Sequence, residues 1–85
     1  MDEHEIGRRA RALPAVFADR LPDSTLTGLR LMDEGGEYGE LVLELAATLA
    51  KVGATVSTAE QQEIRVLLAS TDMPTRPADQ LTVLP

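Results

Sequence analysis

The chain reads as an all-α protein, a small bundle of three to four helices with an extended C-terminal tail, and three observations predict it. Apolar residues recur at spacings of three and four, the period of one helix face. The apolar fraction, 44%, is Leu, Val and Ala with one Phe, one Tyr and no Trp, a composition suited to packed helices. Helix start and stop signals punctuate the periodic stretches, among them Gly53, the Ser57/Glu60 pair, Pro74 and Pro77. With 85 residues the chain makes one domain, 1–85, whose ends at 1–4 and 75–85 are the segments expected to be mobile. A chain of this size buries roughly 60–65% of the surface its unfolded form exposes, so the core is modest. It has no cysteine, which excludes a disulfide framework and thiolate chemistry.

Between residues 2 and 21, Ile6, Ala10, Leu13, Phe17 and Leu21 share one helix face, and Arg8, Arg9 and Arg11 point elsewhere. Pro14 removes a hydrogen bond to Ala10 and biases Leu13 away from helical angles, so a break or kink is expected there. Leu21-Pro22-Asp23-Ser24 is a turn in which Asp23 or Ser24 caps a second helix over about 24–34. That helix carries Leu26, Leu29 and Met32 inward, with Leu31 to the side and Arg30 and Asp33 outward. Gly28 in its interior calls for tertiary support or a close neighbour.

The third helix, Glu37 to Val52, has the clearest pattern. Leu41, Leu45, Leu49 and Val52 form a stripe widened by Val42 and Ala46, while Glu37, Glu40, Glu44 and Lys51 share the opposite face. Gly53 is placed to end it in a left-handed conformation. Ser57 and Glu60 form a capping box for a fourth helix, which runs to about Thr71, buries Ile64, Leu67 and Leu68, and exposes Gln61, Gln62 and Arg65. The tail from Thr75 is too short for another packed helix, and Leu81, Val83 and Leu84 are free to lie extended on the bundle.

Fourteen acidic against eight basic residues give a net charge of −6, which disfavours nucleic acid as a partner and favours a basic one. The absence of any apolar run of membrane-spanning length, and an acidic rather than basic start, point to no membrane, no secretory signal and a cytoplasmic location.

Residues 33–40, DEGGEYGE, concentrate glycines, carboxylates and the lone tyrosine. A phosphate loop would need a lysine followed by Ser or Thr after its glycines, and a calcium loop would need alternating oxygen ligands, so neither fits. The stretch is a joint between helices: Gly35 or Gly36 turns the chain, and Glu37 and Glu40 suit the positive N-terminal end of the next helix. Tyr38 is then either a half-buried packing residue or an exposed anchor. His4 stands alone near the terminus, and the serines have no histidine on the ordered part of the chain, so no catalytic residue, metal ligand or cofactor site is expected. The Arg8, Arg9 and Arg11 cluster reads as a solvated face or an internal partner for the acidic stripe.

The joint and the helices after it carry a resemblance. GEYGELVLELAATLAKVGATVSTAEQQEI, residues 36–64, resembles the small helical immunity proteins of the MafI type, which accompany bacterial polymorphic toxins and contact-dependent inhibition systems. The matching positions are Gly36-Glu37, Leu45, Leu49, Val56-Ser57, Glu60 and Met73, and the likeness extends over about residues 21–74. The chain departs from that pattern at Leu41, where such proteins place a small residue. The resemblance implies a cytoplasmic inhibitor that binds a cognate toxin domain, often a nuclease. An acidic surface of Asp33, Glu34, Glu37, Glu40 and Glu44, with Tyr38 as anchor, would suit a basic toxin by standing in for phosphates. The alternative is a structural or regulatory helical interaction module, a homodimer among its forms, using Leu43 and the tail leucines.

Overall fold

The side chain of Asp2 accepts a hydrogen bond from the Glu5 amide at 2.8 Å and starts the first helix, α1, Glu3–Val16. The computed structural model describes all 85 residues. Contrary to the expected break, α1 runs through Pro14 and ends at Val16. Pro14 lies in the last turn, where its missing N–H removes one bond, and the buried face of Ala10, Leu13 and Phe17 holds the helix beyond it. The Phe17 amide still donates to the Leu13 carbonyl at 3.1 Å, and a single 3-10 turn, Ala18–Arg20, follows.

The second helix, α2, spans Asp23–Glu34, and Pro22 stands at its N-cap with no side-chain cap. Asp23 and Ser24 therefore do not cap it. Asp23 falls in the first turn, where its charge suits the helix dipole. Leu29 is fully buried, Leu26 and Met32 pack at the core's edge, and Leu31 is 63% exposed. Gly28 has no close neighbour, because a Cβ there would meet nothing within 4 Å.

Two glycines then reverse the chain. The Gly36 amide donates to Asp33 O at 3.0 Å and the Glu37 amide to Met32 O at 2.8 Å, with Gly36 at φ 69°. This pair of bonds satisfies the orphan carbonyls of α2 and needs a left-handed residue between them. The third helix, α3, covers Tyr38–Val52, one residue shorter than the pattern suggested because Glu37 is its N-cap. Leu41, Val42, Leu45, Ala46 and Leu49 are all fully buried, and α3 touches every other helix, so it is the axis of the bundle. Val52, expected on the same stripe, is 49% exposed at the helix end. The same carbonyl-capping pattern recurs there: Gly53 N to Ala50 O at 3.2 Å and Ala54 N to Leu49 O at 3.0 Å, with Gly53 at φ 69°.

A short strand, β1, Thr55–Val56, leads into α4, Thr58–Ser70. The capping box is present: the Glu60 amide donates to Ser57 Oγ at 3.0 Å and the Ser57 amide to Glu60 Oε1 at 2.8 Å. Ile64, Leu67 and Leu68 are buried as expected. The end of α4 repeats the motif of α2 and α3, with Asp72 N to Ala69 O at 3.3 Å and Met73 N to Leu68 O at 2.9 Å. Here the left-handed position, φ 58°, is filled by Asp72 rather than glycine.

The tail, expected to lie extended on the bundle or to stay mobile, packs on it, and part of it is helical rather than extended. Residues Arg76–Asp79 form a one-turn helix, α5, and Thr82–Val83 form β2, paired in parallel with β1 in the register Thr55↔Thr82 and Val56↔Val83. Ala78 is fully buried and Leu81 is 7% exposed, so the tail completes the core by covering Val56. Gln61 Nε2 donates to Ala78 O at 2.9 Å, and Arg65 pairs with Asp79 at 2.6 Å, which takes two residues expected at the open surface into the tail's attachment. The molecule is predominantly helical, with this two-strand sheet its sole β structure.

Candidate partner-binding surface

Glu40 and Glu44 project from the first half of α3, opposite its buried stripe, with Glu37 at the N-cap, and each is exposed. Asp33 and Glu34 close α2 immediately before the joint, so the chain brings both sets to one end of the α2–α3 pair. None of Glu34, Glu37, Glu40 and Glu44 lies within ion-pair distance of a basic side chain, in contrast to the paired arginines named below. The one contact among them is Thr48 Oγ1 donating to Glu44 Oε1 at 3.4 Å.

Asp33 belongs elsewhere. It is half-buried and ion-paired with Arg11, Nε to Oδ1 at 2.9 Å, so α1 neutralises it and it does not point freely outward as its helical position suggested. The other arginines of the basic cluster are also occupied. Arg8 lies 3.6 Å from Glu5, and Arg9 grips Glu63 with two donors, Nε to Oε2 at 2.8 Å and Nη2 to Oε1. The Glu63 carboxyl is held below its ordinary value by the hydrogen bond from Arg9, and the Arg9 guanidinium is pushed up by the same bond, burial opposing each shift.

Arg20 carries a structural role that the helical pattern did not signal, and Glu60 carries one beyond its expected place in the capping box. Arg20 Nη1 and Nη2 donate to the two oxygens of Glu60 at 2.9 and 3.0 Å, and to Thr55 O and Val16 O at 3.1 Å each. Its guanidinium also stacks 4.4 Å from the Phe17 ring centroid. Glu60 therefore serves the capping box and the arginine together, and the arginine's hydrogen bond is the main reason its carboxyl falls to about 2.

Tyr38 is half-buried, with its ring laid on α1: a Cβ added to Gly7 would sit 3.0 Å from Tyr38 Cε2 and 3.3 Å from Cζ. The ring divides two open clefts. One, of ≈ 620 Å³, is bordered by Glu3, His4, Arg8, Arg11 and Asp33, and the other, of ≈ 400 Å³, by Glu3 again with Gly39, Ser70 and Thr71. No group of three or more His, Asp or Glu side chains is placed to hold a metal ion, and no buried side-chain polar atom lacks a partner. Leu43 is half-buried against the core and Leu81 lies within it, which leaves Leu84 as the exposed leucine of the tail. No helix is long and apolar enough to cross a membrane.

The site is thus a ridge of uncompensated carboxylates at the end of α2 and along the outer face of α3, with Tyr38, between Glu37 and Glu40 in the chain, turning its ring to α1. No family model, curated protein or solved structure matches the chain.

Proposed function

We propose that the chain is an immunity-type inhibitor that binds a basic bacterial toxin domain, a nuclease by class, and blocks it with the carboxylate ridge of Glu34, Glu37, Glu40 and Glu44, flanked by Tyr38. The observation that carries this is the distribution of pairing. Arg8, Arg9, Arg11 and Arg20 are each matched by an acid, whereas these glutamates are left without a cation on an exposed helix face. Unpaired charge of one sign steers a partner of the opposite sign and accelerates association. A nuclease site built to hold phosphates presents that opposite charge. Asp33, neutralised by Arg11, is a peripheral member of the surface.

The direct test is calorimetric titration, with stopped-flow association kinetics, against any toxin domain encoded beside this gene, at two salt concentrations. Tight binding that weakens with salt, and slower association after Glu37, Glu40 and Glu44 are reversed to Lys, are expected. Unchanged association after that reversal would remove the ridge from the interface. Sedimentation at several concentrations separates this function from that of a homodimeric module, which would show a stable dimer without any partner.

A further inference from the structure

Gly36 and Gly39, the chain neighbours of Glu37 and Glu40, line a concavity whose chemistry is more selective than that of the carboxylates themselves. On the α4 side of Tyr38, Glu3 of α1, Gly36 of the joint, Gly39 of α3, and Ser70 and Thr71 at the end of α4 frame an open cleft of ≈ 400 Å³. Glu3 is the sole charged residue in that lining, and it bears no ion pair.

Two further features favour positive charge there. Ser70 and Thr71 are the C-terminal end of α4, where aligned peptide dipoles leave partial negative charge. The Ser70 carbonyl receives no hydrogen bond, because the residue four ahead is Pro74, which has no N–H, and the Met73 amide is spent on Leu68 O. Tyr38 also lines the cleft, and an aromatic ring attracts a cation. The cleft on the ring's other side shares Glu3, but Arg8, Arg11 and Asp33 line it too, so its two acids are offset by two arginines.

We infer that the α4-side cleft of Tyr38 receives one arginine or lysine side chain of the partner, its charged end between the Glu3 carboxylate, the Tyr38 ring and the end of α4. This rests on the proposal that the partner is basic and docks on the adjacent ridge. It gives Tyr38 the role of a socket wall rather than of a projecting anchor.

The chain has a single tyrosine and no tryptophan, so tyrosine fluorescence reports on Tyr38 alone. N-acetyl-arginine amide and N-acetyl-lysine amide, titrated at constant ionic strength, should each change that signal saturably, while the neutral N-acetyl-citrulline amide should not. Glu3→Gln should weaken the arginine amide about fivefold, the size of one partly exposed ion pair. Tyr38→Phe keeps the ring, and binding to it, followed by the shifts of amide resonances around Ser70, should persist. Equal response to the citrulline amide, or no effect of Glu3→Gln, overturns the assignment. With the toxin domain, loss of affinity on ridge reversal but none on Glu3→Gln and Tyr38→Leu, with helicity checked, overturns the socket and retains the ridge. Saturable binding of both cationic amides to a chain that engages no basic domain retains the socket and overturns the inhibitor function.

Discussion

Arg20 and Glu60 face each other across 40 residues of sequence with two parallel hydrogen bonds, Nη1 to Oε1 at 2.9 Å and Nη2 to Oε2 at 3.0 Å. The same carboxylate accepts the Ser57 amide, and the same guanidinium reaches Thr55 O and Val16 O. One ion pair therefore ties the end of α1 to β1 and to the start of α4. Both side chains are 25% exposed, enough burial for planar two-point bonding to outweigh an ordinary surface pair. Glu60→Gln removes the charge while its amide oxygen can still accept the Ser57 N–H, and should lower stability by about 1–2 kcal/mol through the weakened bonds to Arg20. A double-mutant cycle with Arg20→Ala, read by denaturant unfolding, should return a coupling of about 1–2 kcal/mol. A coupling near zero would show the contact to be energetically idle.

The same pair sets an acid response. In the folded chain the Glu60 carboxyl lies at about 2, against an ordinary 4.5, because Arg20 and Ser57 bind its charged form. The unfolded chain thus takes up this proton first as pH falls. The contribution is whole above about 4.5 and is lost as the pH drops from there through about 2. Glu63, held down by Arg9, shifts in the same direction. Thermal unfolding followed through this range should show a steeper loss for the native chain than for Glu60→Gln, with the two converging at the acid end.

Two helix glycines, Gly28 inside α2 and Gly39 in the first turn of α3, should respond to alanine with opposite sign. At Gly28 the new Cβ meets nothing within 4 Å, so Gly28→Ala should stabilise by about 0.5–1 kcal/mol through helix propensity alone. At Gly39 it would lie 2.8 Å from Met73 Cε and 3.1 Å from Thr71 Cβ. The Met73 end can swing away, but Thr71 is anchored by its hydroxyl bond to Leu67 O at 2.8 Å. Gly39→Ala should therefore destabilise by about 1 kcal/mol, overpacking exceeding the propensity gain. Chemical denaturation of both variants checks the contrast.

Asp72 provides a third backbone test. It fills the left-handed position that glycine holds at the ends of α2 and α3. A non-glycine residue is strained there, although aspartate tolerates it better than most. Asp72→Gly should stabilise the chain by up to about 1 kcal/mol in the same unfolding assay, and Asp72→Val should destabilise it by more.

What was legible in the sequence was what depends on near neighbours. The stripe from Leu41 to Leu49 and the Ser57/Glu60 box are patterns of three or four residues, and the fold reproduces them. What was hidden depends on residues far apart in the chain. Arg20 has no helical signature, and its partners Thr55 and Glu60 stand 35 and 40 positions away. The burial of Ala78 and Leu81 could not be seen because a one-turn helix has no period to detect, and its support is the pairing of β2 with β1. Pro14 misled because a proline's effect depends on where the helix ends, which Phe17 decides by packing. On the surface, the outward placement of Glu37, Glu40 and Glu44 followed from the helical period, whereas the capture of Asp33 by Arg11 depends on how α1 meets α2.

The ridge itself should trade stability against binding. Glu40 and Glu44 are four apart on one helix face and neither has a cation nearby, so they repel one another. Glu44→Lys turns that repulsion into an attraction with the glutamate on the N-terminal side, the better orientation for such a pair, and should stabilise the chain by about 0.5–1 kcal/mol at low salt. The gain should shrink as salt is added, since both groups are exposed. Against a basic toxin domain the same substitution should slow association. A surface selected for stability alone would not keep two uncompensated carboxylates where one lysine improves the helix. If Glu44→Lys raised the unfolding midpoint and left association with the domain unchanged, the carboxylates of α3 would be a solvated helix face, and the proposed docking surface would have to lie elsewhere on the molecule.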